Sequence, residues 1–244
     1  MEYVIHAAGA VIGPDLWGQE REYLVSDSWE GLLHCAEVGA QTIELDFSFT
    51  EDDKLVCLHD WSREYLPCIE DGVPLTLDDF LATKIYGCFT PVSLDMLITF
   101  MTEHEEIRVV TDIKDNNLMG LTVIAETCPD MKDRFIVQIY DKSEYDAVCD
   151  LGFSYILFTL YRLTWMEKTD WISLSDYSHT HPLVGFTFSS ELCDVNGFVE
   201  GMLLSGVPLY IHTVNDDEER FFAMGISGIY TDYAQKCSPE MGTS

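Results

Sequence analysis

The sequence predicts an α/β fold, a TIM-type (β/α)8 barrel, from three observations. Short β-rich runs alternate with amphipathic segments from end to end, eight strands remain once one run is set aside as an excursion, and polar residues crowd the strand ends. A chain of 244 residues that is 47% hydrophobic can bury one large core. Residues 1–237 are therefore expected to form a single barrel domain, with 238–244 as a flexible tail. Alternation alone does not require closure, so an open doubly wound sheet is the alternative.

Strands are expected at 3–6, 42–47, 107–113, 134–139, 154–159, 183–188, 207–212 and 227–231, each rich in β-branched or aromatic residues, with 54–58 as the excursion. Helices are expected at 27–38, 77–83, 93–104, 117–127, 142–150, 163–174, 190–204 and 216–224. Ser26, Ser28, Thr76, Ser93, Ser143, Ser190 and Asn215 stand near helix starts, where a short side-chain oxygen can cap free backbone N–H groups. The long loop from Gly13 to Val25 follows the first strand and would overhang the mouth.

Charge narrows the partners. Lys and Arg number 13 against 43 Asp and Glu, a net charge of −30. That argues against sequence-independent nucleic-acid binding and disfavours an anionic membrane surface, both of which need basic patches. An anionic substrate would need a cation and a local Lys or Arg to invert the field. The eight cysteines show no metal-ligand spacing and several sit in apolar runs, as free core thiols do. Reduced thiols, no basic-then-apolar leader and no apolar run of about 18 residues lead to an expected cytoplasmic location with no transmembrane segment.

The most informative segment is Thr42-Ile43-Glu44-Leu45-Asp46-Phe47, with His59-Asp60 beginning thirteen residues after Asp46. Glu44 and Asp46 are two apart on a strand, so both carboxylates leave on the same face. Asp112 and Lys114 share a face in the same way in Val109-Val110-Thr111-Asp112-Ile113-Lys114. Glu44, Asp46 and Asp112 make an all-oxygen set suited to Mg2+ or Ca2+, and without a cation they would repel one another. Lys114 could hold a phosphoryl oxygen beside that ion, or form a strand-end ion pair with Asp112. His6, at the end of the first strand, and His59 could take and give the protons of a phosphodiester reaction. Gln138 and His212 also end strands and face the mouth, and Trp61 either packs over a substrate or roofs the core.

These residues resemble the glycerophosphodiester phosphodiesterase family of the phospholipase C-like superfamily, over nearly the whole chain. The resemblance rests on His6, Gly39-Ala40-Gln41-Thr42-Ile43-Glu44-Leu45-Asp46, Thr50-Glu51-Asp52-Asp53-Lys54-Leu55-Val56, His59-Asp60, Thr90-Pro91-Val92-Ser93-Leu94-Asp95-Met96-Leu97, Asp112-Ile113-Lys114, Thr213-Val214-Asn215 and Gly225-Ile226-Ser227-Gly228-Ile229-Tyr230-Thr231-Asp232. It implies a metal-dependent phosphodiesterase acting on a small-molecule glycerophosphodiester or related diester. Glu44, Asp46 and Asp112 would be its metal ligands, His6 and His59 its acid/base pair and Lys114 its phosphate contact. In the family a neighbouring substrate hydroxyl attacks phosphorus and water opens the cyclic product.

Three departures bear on substrate. The family's His-Arg-Gly reads His6-Ala7-Ala8-Gly9 here, so Arg21 in the long loop is the expected replacement for the missing arginine. The Pro-Glu-Asn-Thr segment is replaced by Val25-Ser26-Asp27-Ser28 after a lengthened loop. Asp112 stands for Glu and His212 for Trp. Asp-x-Lys also resembles the sphingomyelinase D branch, so a phospholipase D-like lipid phosphodiesterase, or a non-catalytic barrel binding a phosphorylated ligand, are the alternatives.

Overall fold

A computed structural model describes residues 2–15 and 17–237. The expected tail, 238–244, lies outside them. In chain order the strands are β1 (Glu2–Ile5), β2 (Val11–Pro14), β3 (Glu20–Tyr23), β4 (Thr42–Phe49), β5 (Leu55–Cys57), β6 (Val92–Ser93), β7 (Arg108–Ile113), β8 (Phe135–Ile139), β9 (Ile156–Thr159), β10 (Gly185–Ser189), β11 (Leu209–His212) and β12 (Gly228–Thr231). Eight of these, β1, β4 and β7 to β12, pair in parallel as a ring that closes through Ile5 opposite Ile43. Closure excludes the open doubly wound sheet. β5 pairs antiparallel with β4 and β6 antiparallel with β5, the excursion predicted from 54–58.

The helices are α1 (Trp29–Glu37), α2 (Leu77–Leu81), α3 (Leu94–Glu103), α4 (Asn117–Thr127), α5 (Tyr145–Asp150), α6 (Trp165–Thr169), α7 (Trp171–Thr180), α8 (Phe198–Leu203) and α9 (Glu218–Ala223). Strand side chains alternate, which sorts β4 cleanly. Ile43, Leu45 and Phe47 point outward into the main core under the helices, leaving Thr42, Glu44, Asp46 and Ser48 to the opposite face. Each large side chain buried in this layer contributes about 1.5–3 kcal/mol. The barrel interior has an apolar floor of Val4, Val110, Ile136, Leu157 and Tyr230. A second, smaller cluster joins the hairpin to the excursion through Val11, Tyr23, Trp61, Tyr65 and Phe80.

Several local expectations change. The loop 13–25 is largely a β2–β3 hairpin rather than irregular chain. The helix expected at 163–174 is two: Thr164 and Glu167 form a capping box on α6, the backbone breaks at Asp170, and its carboxylate caps α7 through Ser173 N. The segment 190–204 is a 3-10 turn and then α8, separated at Gly197, whose φ of 75° is easy only without a Cβ. The helix at 142–150 begins as a 3-10 turn capped by Asp141, not by Ser143. Ser28, Thr76 and Ser93 cap as expected, while Ser189 accepts the bond expected of Ser190. Ser26 turns back to donate to Gly9 O, and Asn215 is drawn to β12, so neither caps a helix.

Candidate active site

The register of β4 on β7 builds the site. Asp46 lies opposite Asp112, so the Glu44/Asp46 pair and Asp112 emerge together at the C-terminal end of the barrel. One oxygen from each of Glu44, Asp46 and Asp112 falls within 4.8 Å of the others, and all three residues are buried. Lys114 Nζ bridges Asp46 Oδ1 at 2.5 Å and Asp112 Oδ2 at 2.9 Å, so the strand-end ion pair is present. One ammonium balances one of three carboxylates. Burial, with the nearby charges of Asp46 and Asp112, pushes the Glu44 carboxyl well above the usual carboxylate range. Asp46 Oδ2 is buried and has no hydrogen-bond partner. A hard divalent cation fits this set, because it would take up the orphaned oxygen and the uncompensated charge together.

A fourth carboxylate, Asp27, has no motif to reveal it. It sits at φ 43° just before α1 and accepts a hydrogen bond from Asp46 N at 3.1 Å. Burial first, then Asp46 and Glu44, raise its pKa strongly. The turn after β1 is equally tight. Ala7 and Ala8 both have positive φ and are fully buried, and Ala7 N donates to Glu44 Oε2 at 2.9 Å. Position 7 therefore anchors Glu44 through its backbone and presents no side chain to the cavity.

His6 Nδ1 donates to Asp232 Oδ1 at 2.7 Å, and Asn215 Nδ2 donates to Asp232 Oδ2 at 2.5 Å. Burial pushes the His6 imidazole down, but the Asp232 hydrogen bond and the charges of Glu44 and Asp46 outweigh it and lift the pKa to about 9. His212 is opposite in character: burial, aided by His6, lowers it to about 4, so it is a neutral imidazole. His6, Glu44, Asp112, Gln138 and His212 line one narrow cavity of about 60 Å³ at this end. Gln138 accepts from the Thr159 hydroxyl in its wall. A larger hollow, about 330 Å³, opens at the other end beside Glu2, Gln41 and Lys236, but has no carboxylate and imidazole set. Chemistry, not volume, selects the site.

Five expected residues do not line this cavity: Asp46 and Lys114, which adjoin it through Asp112, and His59, Trp61 and Arg21, which stand apart from the three clustered carboxylates. His59 stands on the loop after β5, with Nδ1 3.0 Å from Asp60 Oδ2 and its ring stacked on Tyr65 at 5.3 Å. Its side chain is 38% exposed. Trp61 belongs to the second core: Nε1 donates to Phe49 O at 2.9 Å and the ring meets Phe80 edge-on, the roofing alternative. Arg21 lies on β3 with its guanidinium 5.1 Å over the Tyr23 ring.

The Asp112 surroundings were not read from the sequence. Tyr140 donates to Asp112 Oδ1 at 2.5 Å and Tyr161 to the same oxygen at 3.0 Å. Although burial opposes it, Lys114 and these hydroxyls hold the Asp112 carboxyl below its usual range. Arg162 places its guanidinium 3.6 Å over the Tyr140 ring and donates from Nη2 to Ile113 O and Lys114 O. Tyr140 and Tyr161 end strands and were recognisable as rim residues, but their convergence on Asp112 is a cross-barrel relationship.

No family model matches the chain, and no curated protein matches it in sequence. In fold, a glycerophosphodiester phosphodiesterase from Thermotoga maritima is similar with a TM-score of 0.73 at 15% identity, covering 96% of this chain and 95% of its own. One from Parabacteroides distasonis gives 0.68 at 16% identity, covering 97% and 94%. An Oleispira antarctica phosphodiesterase in complex with the product sn-glycerol-3-phosphate gives 0.70 at 14% identity, covering 97% and 95%. The chain thus shares the full-length barrel of these enzymes.

Proposed function

We propose that the protein is a metal-dependent phosphodiesterase that hydrolyses a glycerophosphodiester or a related small-molecule phosphodiester. The convergence of Glu44, Asp46 and Asp112 beside the His6–Asp232 pair carries this reading. The fold shared with phosphodiesterases, one of them holding sn-glycerol-3-phosphate, supports the glycerol-type substrate. Glu44, Asp46 and Asp112 would hold one Mg2+ or Ca2+ ion, which when bound supplies positive charge to the phosphoryl oxygens.

The chain's own groups divide the proton work. His6, charged through Asp232, is the acid and gives a proton to the leaving alkoxide as its P–O bond breaks. His59 is the base. Asp60 holds its Nδ1, which leaves Nε2 to take the proton of the attacking hydroxyl. Neutral His212 remains as a hydrogen-bonding group in the wall. Among the described residues no helix is long and apolar enough to cross a membrane, and all eight cysteines are unpaired.

One observation favours a lipid phosphodiester as a second reading. Trp165 and Met166, just beyond the cavity residue Tyr161, are 53% and 83% exposed and could accept an acyl chain. The test assays an aryl phosphodiester, a glycerophosphodiester and a lysophospholipid with Mg2+ or Ca2+, with EDTA, and with His59→Ala and His6→Ala. Cleavage abolished by EDTA and by either variant is expected. Metal-independent cleavage, or full activity in His59→Ala, overturns the mechanism, and metal-dependent phosphate binding without any cleavage overturns the enzyme reading in favour of a binding barrel.

A further inference from the structure

Resting on the phosphodiesterase reading, we propose that Arg162 is the residue that grips the substrate phosphoryl group, from the side of the barrel opposite β1. Around the ring β9 is the fifth strand counted from β1, so its C-terminal turn faces His6 across the mouth. Arg162 ends that turn, immediately after Tyr161 of the cavity wall.

Three restraints from other segments set the guanidinium in place. It lies 3.6 Å over the Tyr140 ring and 5.5 Å from the Tyr161 centroid. Nη2 donates to Ile113 O at 2.9 Å and to Lys114 O at 3.0 Å, and stands 3.9 Å from Asp112 Oδ1. Both Nη2 hydrogens are thereby used, while Nε and Nη1 bond to no backbone carbonyl among the described residues, on a side chain only 32% exposed. A planar cation held by stacking, by two carbonyls and beside the Tyr161 hydroxyl loses little freedom on binding, and its remaining donors suit a tetrahedral oxyanion.

The cations the sequence offered are committed or misplaced, and Lys168, whose charge reaches His212, lies 5.1 Å over the exposed Trp165 ring. Lys114 is neutralised between Asp46 and Asp112. Arg21 stacks on Tyr23 in the hairpin, and position 7 is a buried alanine. In a chain of net charge −30, an anionic diester entering this mouth needs a fixed positive group that is not held in a short carboxylate contact. Arg162 comes nearest to that: its one carboxylate contact, to Asp112 Oδ1, is a long 3.9 Å, against the 2.5 and 2.9 Å contacts of Lys114.

The test measures competitive inhibition by inorganic phosphate and the KM and kcat for an aryl phosphodiester in the metal-loaded protein. Arg162→Ala and Arg162→Gln should each weaken phosphate inhibition and raise KM at least tenfold, with calorimetric metal affinity within twofold of the parent. Added guanidinium should restore part of the activity of Arg162→Ala, which a structural clamp on the β7 carbonyls would not predict. If Arg162→Ala fails to fold, Arg162→Gln decides by the same two readouts. Unchanged phosphate inhibition in the folded variant overturns the proposal, as does its loss in Arg21→Ala with Arg162→Gln unaffected. A parent protein that neither cleaves the diester nor binds phosphate overturns the phosphodiesterase reading itself.

Discussion

His6 Nδ1 lies 2.7 Å from Asp232 Oδ1, joining the first strand of the barrel to the last across the seam where Ile5 faces Thr231. The pair depends on closure: residues 226 apart in sequence become neighbours because β12 returns to β1. Asn215 locks the carboxylate from β12's other flank.

Asp232→Asn should therefore act through the His6 proton. The folded pKa of about 9 exceeds the ordinary 6.5, so the pair's stabilisation is complete below pH 6.5 and is lost as pH rises toward 9. In metal-free protein the substitution should cost ~1–2 kcal/mol near pH 6 and much less above pH 9, the scale of one hydrogen bond to a charged group, because the charges of Glu44 and Asp46 supply the rest of the upward shift. Denaturant titrations at the two pH values check this, and the alkaline limb of the pH–rate profile should move down by a unit or more.

Glu44→Gln should weaken divalent-cation binding about tenfold or more by calorimetry, since it removes one charged oxygen ligand. Without metal it should be no less stable than the parent, because one of three mutually repelling buried carboxylates has gone. A metal-free variant that unfolds, with metal affinity intact, would show that Glu44 has a purely structural place.

Tyr140→Phe keeps the ring under Arg162 but removes the 2.5 Å hydrogen bond to Asp112. Tyr161 still donates to the same oxygen, so the expected cost is ~1–2 kcal/mol, near the lower end for a hydrogen bond to a charged group. Urea unfolding measures it, and catalysis should fall with metal affinity rather than with phosphate affinity.

Gly185→Ala and Gly228→Ala test the barrel floor. The Tyr210 ring is wedged between the two glycines, and a Cβ at either would come within 2.6 Å of it. Its hydroxyl is tied to Glu2 Oε2 at 2.7 Å, which limits its retreat. Each substitution should cost ~1–3 kcal/mol, the range for overpacking, read as a lower midpoint in thermal unfolding.

What the sequence determined by itself was whatever depends on short spacing. Alternation places Glu44 with Asp46, and Asp112 with Lys114, on one strand face before any fold is known, and the β-rich runs give the eight strands to within a few residues. His6 and Asp232 were visible as strand ends, though not as partners.

Only the tertiary structure decided which strand ends meet. Asp46 lies beside Asp112 through interstrand register, Asp232 reaches His6 through ring closure, and Arg162 reaches Asp112 through a turn on a distant strand. The same applies to Trp61 and Arg21, which neighbouring rings draw into hydrophobic and stacking contacts away from the mouth. Residue spacing along one strand is a covalent property that the chain carries unfolded, whereas register, closure and loop packing follow from burial of the whole core.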